Sequence, residues 1–220
     1  MKPAALVAIA LLGVNLTWGQ GEADFPIHFR GGLVGGVTAS QIRGDGVEGF
    51  NKLGVHGGVL IEMRRYSNLG LQLGIVYNQK GSRKVANHKV NDYDSWRYKF
   101  TYFDIPLVAV YDFREGFTLG TGLQPGVLVN ALQDGLYSNT VTGEWSPAPL
   151  PIRNVELSWV VWAGMRYGTS GELFFRHTQS LLGIVPKPDV DSSDPAVRWD
   201  DRMQNITLQI GYTWLFTKGL

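Results

Sequence analysis

The stretch Ile206-Thr207-Leu208-Gln209-Ile210-Gly211-Tyr212-Thr213-Trp214-Leu215-Phe216 decides the fold class. Ile206, Leu208, Ile210, Tyr212, Trp214 and Phe216 fall on one face, and Thr207, Gln209, Gly211 and Thr213 on the other. A repeat of two belongs to an extended strand, whose side chains alternate between faces. A helix would bring Ile206 and Ile210 together but send Leu208 to the opposite side.

The same alternation recurs upstream. Val155, Leu157, Trp159, Val161, Ala163, Met165 and Tyr167 oppose Glu156, Ser158, Gly164 and Arg166. Leu69, Leu71, Leu73, Ile75 and Tyr77 oppose Gly70, Gln72, Gly74 and Asn78, and Val55, Val59, Ile61 and Met63 oppose His56, Gly58, Glu62 and Arg64. Extended over the chain, the pattern predicts eight strands, at 27–38, 53–66, 69–81, 96–113, 117–130, 154–167, 171–182 and 202–216. Tight turns follow the second, fourth and sixth, at Ser67-Asn68, Arg114-Glu115-Gly116 and Gly168-Thr169-Ser170. Long polar segments follow the others, among them Asp134 to Pro151 and Pro186 to Asp201. This alternation of short and long connections predicts an up-and-down meander with one trimmed and one elaborated rim. Pro106 and Pro125 fall inside the fourth and fifth strands, where each removes a ladder donor, so a bulge is expected at that seam.

Composition narrows the function classes. Of 220 residues, 28 are Gly and none is Cys, which excludes disulfides, thiolate-bound metals, a thiol nucleophile and a lipid-modified N-terminal cysteine. The formal charge of +1 carries no nucleic-acid footprint. Lys2 is the only charged residue before Glu22, and the thirteen apolar-rich residues from Ala4 to Leu16 are too few to span a bilayer. They predict a cleaved signal peptide over residues 1–20, leaving 21–220 as a single barrel domain.

Physical chemistry then labels the two faces. A sheet in hydrocarbon must close on itself and turn its apolar face outward, whereas a soluble ligand-binding barrel does the reverse. The apolar face here is continuous and rich in aromatics. The other face collects Arg30, His56, Glu62, Arg64, Lys80, Asp104, Glu156, Arg166, Glu172 and Arg176. Facing lipid, each Arg or Lys would cost about 2–4 kcal/mol near the midplane; facing inward, they pair across a narrow lumen. The prediction is an all-β, eight-stranded antiparallel up-and-down transmembrane barrel whose lumen holds these ten residues as a polar network. Tyr66, Phe113, Phe117, Tyr167, Tyr212, Trp214 and Phe216 gather at the trimmed rim, where an aromatic girdle is expected.

Three further pieces carry a resemblance: Ser40-Gln41 through Gly49-Phe50-Asn51-Lys52, Tyr77-Asn78-Gln79-Lys80-Gly81-Ser82, and Tyr102-Phe103-Asp104-Ile105-Pro106-Leu107. With them the chain resembles the small outer-membrane β-barrel family that includes PorT-like, porin-family proteins, over nearly all of its mature length. The closing strand ending at Phe216 is similar to the aromatic C-terminal signal read by barrel-assembly machinery, although Thr217 to Leu220 follow it. The resemblance implies the outer membrane of a Gram-negative-type envelope, with outer-membrane lipid and the assembly machinery as partners.

Chemistry-bearing motifs are absent from the sequence. There is no HxH, HExxH, GxSxG, P-loop or acidic calcium loop. His177 and Ser180 lie three apart on one strand and so face opposite ways. Asp189, Asp191, Asp194, Asp200 and Asp201 read as a solvated loop. No catalytic, cofactor or metal residues are assigned, and no cofactor is expected. The expectation is a non-enzymatic barrel with a structural, surface or secretion-accessory role, a side-chain-filled polar lumen and long loops open to a protein partner. The alternatives are a narrow porin-like channel for ions or small solutes and a soluble periplasmic ligand-binding barrel.

Overall fold

The computed structural model describes residues 27–64, 68–90, 95–113, 116–136, 151–185 and 203–216. The expected signal peptide, Tyr66 and the five loop aspartates lie outside these residues. The described chain forms β1 (His28–Arg43), β2 (Lys52–Arg64), β3 (Leu69–Lys84), β4 (Ser95–Asp104), β5 (Leu107–Asp112), β6 (Phe117–Leu136), β7 (Val155–Tyr167), β8 (Gly171–Ser180) and β9 (Gln204–Leu215). A short 3-10 turn, His88–Val90, precedes β4.

All pairings are antiparallel, and the sheet closes. β1 pairs with both β2 and β9, and sequence neighbours pair around the rest of the ring. β4 and β5 are two pieces of one barrel strand. Both pair with β3 and with β6, and the register on β3 runs from Val76↔Asp104 to Leu73↔Leu107 without a slip. The nine segments therefore make eight staves, in the predicted up-and-down order.

The two prolines explain the interruption. The Gly74 amide donates to the Pro106 carbonyl at 3.1 Å, and the Ile105 amide donates to the Pro125 carbonyl at 2.7 Å. Proline cannot return either bond, so each ring removes one ladder bond, on opposite sides of the Ile105–Pro106 break. The expected bulge is on this seam but sits higher, where the β4–β6 register shifts between Thr101 and Tyr102. Gly74 leaves room beside the ring: a Cβ there would lie 3.4 Å from Pro106 Cγ. At the trimmed rim, Gly116 and Gly168 take φ of 81° and 61°, a region open to glycine without steric cost.

Several strands outrun the sequence prediction at the elaborated rim. β1 continues to Arg43, β3 to Lys84 and β6 to Leu136, so Asp134 belongs to a strand and not to the long loop. β8 instead stops at Ser180, and Phe216 lies just past β9, its amide held by the Gly31 carbonyl at 2.8 Å. The β1–β2 loop is bonded to itself: the Val47 amide donates to Asp45 Oδ1, and Asn51 Nδ2 to the Glu48 carbonyl, both at 2.9 Å.

The orientation of the faces is unambiguous. Leu73, Trp159 and Ile210 are 48%, 44% and 56% exposed, while Glu62 and Glu156 are 0% and 3% exposed. An apolar exterior around buried charge suits hydrocarbon, where closure leaves no strand edge unpaired. It is the reverse of a soluble binding barrel.

Backbone contact at the β5–β6 seam yields a stability prediction. A Cβ at Gly122 would run into the Leu107 carbonyl. Gly122→Val is expected to lower unfolding free energy by about 1–3 kcal/mol through overpacking, read as a lower urea midpoint for loss of the heat-modifiable gel band. Gly57→Ala, whose added Cβ would meet nothing nearer than the Val34 carbonyl at 3.6 Å, is expected to lose less.

Candidate functional site in the barrel lumen

The inward positions of these strands do not form one network. They form two ionic clusters separated and capped by apolar side chains.

The lower cluster, at the trimmed rim, is built on Glu62. Arg64 Nε donates to Glu62 Oε1 at 2.7 Å, Arg166 Nη2 to Oε2 at 2.7 Å and Gln72 Nε2 to Oε2 at 3.1 Å, and Arg30 closes on Oε1. Asp112 shares the same arginines, 2.7 Å from Arg64 and 3.4 Å from Arg166. Glu172 lies 3.7 Å from Arg166 Nε and accepts from Thr118 Oγ1 at 2.7 Å and from the Trp162 indole at 2.9 Å. Gly164 keeps this space clear, since a Cβ there would collide with the Glu172 carboxylate and the Thr118 hydroxyl.

The upper cluster is built on Lys80. Its ammonium lies 3.0 Å from Asp104 Oδ1 and 3.5 Å from Glu156 Oε2, and all three side chains are buried. The remaining carboxylate valences are filled. Asn78 and Gln124 donate to Asp104 Oδ2 at 2.9 and 2.8 Å, while Ser158, Ser180 and Asn205 donate to Glu156. The Lys80 ammonium also stands 4.6 Å from the Tyr102 ring centroid.

Between the clusters lies an apolar belt: Val34, Leu60, Val76, Val108, Val110, Val160, Trp162, Phe174 and Leu215. Above the upper cluster, Ile42, Trp96, Tyr98, Phe100, Tyr102, Ile184 and Met203 form a second apolar group. These inward apolar residues show that polar side chains fill only part of the lumen. A barrel of eight staves has an interior only wide enough to be filled by side chains, so part of it packs as a core does.

His56 and Arg176 are brought to neither carboxylate set by an ion pair. His56 is buried with Nδ1 3.1 Å from the Thr38 hydroxyl and its ring 5.8 Å from Phe174. The Arg176 guanidinium stacks at 4.5 Å from the Trp162 ring and 5.0 Å from Phe174, whose own rings stack at 4.2 Å. Its charge is held by ring quadrupoles in place of a direct carboxylate contact. Asp112 is the lumen carboxylate that sequence reading passed over. With it, the five predicted cations Arg30, Arg64, Lys80, Arg166 and Arg176 face five carboxylates, Glu62, Asp104, Asp112, Glu156 and Glu172, and Lys52 adds a further buried cation at the elaborated end of β2. Its inward parity on the strand after Pro106 was the available signal.

At the trimmed rim, Phe113, Phe117, Tyr167, Tyr212, Trp214 and Phe216 are all exposed on the outer wall. Phe113 lies 5.9 Å from Phe117 and 4.9 Å from Tyr111, an aromatic the sequence reading did not include. His177 lies on the outward face of β8, half-buried, while Ser180 is buried inward against Glu156, so the two do not meet. Among the described residues no group of His, Asp and Glu has the arrangement to hold a metal ion.

No protein of curated function matches the chain significantly in sequence. Among solved structures, Ail, the attachment invasion locus protein of Yersinia pestis, aligns with a TM-score of 0.46 at 12% identity, covering 86% of this chain and 99% of that one. Ail in complex with the heparin analogue sucrose octasulfate aligns at 0.44 with 11% identity and the same coverage. The outer membrane protein OprG from Pseudomonas aeruginosa aligns at 0.36 with 9% identity, covering 87% of this chain and 96% of that one. The family model described as the outer membrane protein beta-barrel domain matches residues 18–184, most of the chain. An apolar-walled, closed, charge-filled barrel and that family match agree: the chain belongs to the outer membrane protein beta-barrel domain family and resides in the outer membrane.

Proposed function

We propose that this protein is a non-enzymatic outer-membrane barrel with a structural, surface or secretion-accessory role, its lumen serving as a packed core. The observation that carries this reading is the filling of the lumen at successive levels. Trp162, Phe174, Phe100, Tyr102 and Lys80 are each 2% exposed or less and come from four staves. The two ionic clusters crosslink strands far apart in sequence, Glu62 to Arg166 and Lys80 to Glu156. That arrangement spends its charge on holding the wall together.

The exposed rim aromatics act as the lower girdle, seated at the headgroup level of the inner leaflet. Outer-membrane lipid and the assembly machinery are the partners of the wall and of the closing strand. The long loops are where a protein partner would engage.

A second reading, a narrow channel, is favoured by one observation. His56 Nε2, Arg176 Nε, Gln209 Oε1 and Thr213 Oγ1 are buried polar atoms without a protein partner among the described residues. Such atoms call for water, and a hydrated mid-lumen is what conduction would need.

Planar-bilayer recording separates the readings. The packed-core reading expects no discrete conductance from purified protein. Discrete steps that change with Glu62→Ala or Arg64→Ala would establish the channel. A companion measurement tests the structural role directly. Lys80→Met leaves Asp104 and Glu156 buried without their cation, and should cost about 3–5 kcal/mol of unfolding free energy in urea titration of the folded gel band. A Lys80→Met barrel as stable as the wild type would remove the structural role of the cluster.

A further inference from the structure

The outward face of the β4–β5 stave changes character along its length. From Phe113 upward it is apolar through Tyr111, Ala109, Leu107, Ile105 and Phe103. The ten residue steps from Phe113 to Phe103, at about 3.3 Å rise and about 40° tilt, climb roughly 25 Å, the height of a barrel's hydrocarbon band. The Phe103 ring meets Tyr77 of β3 edge-on at 6.1 Å, which marks the upper edge of that band. Above it the same face carries the buried Thr101 and then presents Lys99 and Arg97.

Arg97 lies directly across from Arg83 of β3 in the antiparallel register. Like charges in this position destabilise a sheet unless something relieves them. On the other flank Asp134 pairs with Arg97 at 2.5 Å, with both side chains about half exposed. Among the described residues, Arg83 and Lys99 have no carboxylate partner. Arg83, Arg97 and Asp134, together with the inward-facing Lys84 and Trp96, line a cavity of about 360 Å³ at the upper end of these strands.

We propose that Arg83, Arg97 and Lys99 form a binding site for the phosphorylated headgroup of an outer-leaflet lipid. The cations stand on the outer wall and not in the lumen, at the first polar level above the apolar band. Their aliphatic stems can lie along that wall while their charged ends reach phosphate. Paired arginine forks match phosphate oxygens, and a bound phosphate relieves the Arg83–Arg97 repulsion that Asp134 alone leaves uncompensated. The lipid's acyl chains would then run down past Phe103 and Tyr77. This site is independent of whether the lumen conducts.

The test uses the chain purified in detergent, with bis-phosphorylated lipid A and its dephosphorylated form as probes and retention read by native mass spectrometry. Preferential retention of the phosphorylated form is expected, and equal retention of both forms overturns the proposal without need of any variant. Arg83→Gln with Lys99→Gln should weaken retention by about fivefold for each cation removed, with an unchanged heat-modifiable band showing that the barrel is intact. Wild-type retention by that folded double variant also overturns the proposal. Inorganic phosphate at the same concentration should leave the lipid bound, whereas its full displacement would show a free-anion site and overturn the assignment to lipid.

Discussion

Hydrocarbon offers a peptide group no hydrogen-bond partner, and the rest of this structure depends on that constraint. Every amide and carbonyl in the band must find its mate within the chain, so the sheet has to close, here through β1 and β9. Closure separates an outside from an inside, and only one assignment of faces is affordable in a membrane. The same constraint makes Pro106 and Pro125 conspicuous. Their lost ladder bonds fall on different seams, each beside a bond that is still made, so the backbone defects are not concentrated along one line of the wall.

Once the charges are turned inward, their own burial has to be compensated. Two solutions operate in one lumen. Glu62, Asp112 and Glu172 share arginines from three staves, so their charge is dispersed over guanidinium forks at a rim that water reaches. Lys80, Asp104 and Glu156 are buried and rely on direct pairing plus neutral donors that fill the remaining carboxylate lone pairs. Such clusters hold geometry more than they add free energy, because desolvation offsets much of the attraction. The apolar belt separates the two clusters, and Arg176 bridges the difference in chemistry by lying flat on Trp162.

The parts of the fold that were legible in sequence are those where hydrocarbon writes the pattern. Along β7 and β9, lipid demands apolar residues at every second position, and alternation reveals both strand and face. Where the strands rise above the band, as at Arg83, Arg97 and Asp134, the outward residues become polar and the alternation fades although the hydrogen-bond ladder continues. Strand ends there were therefore misplaced. The inward residues were only half legible for a different reason. Inward Val160 and Trp162 alternate with outward Val161 and Ala163, so the run Val160-Val161-Trp162-Ala163 shows no polar punctuation to assign its faces.

By itself the sequence determined that this chain alternates with a period of two, connects its strands by alternating short and long links, and segregates charge from grease, because each of these is a local property of neighbouring residues. Only the tertiary structure decided which charges meet. Glu62 and Arg166 are 104 residues apart, and no local pattern says that they share one rim while Lys80 shares a level with Glu156. The reason is geometric: the tilt of the staves and the shift of register around a closed ring set the height of every inward side chain, and those heights exist only once the ring is complete.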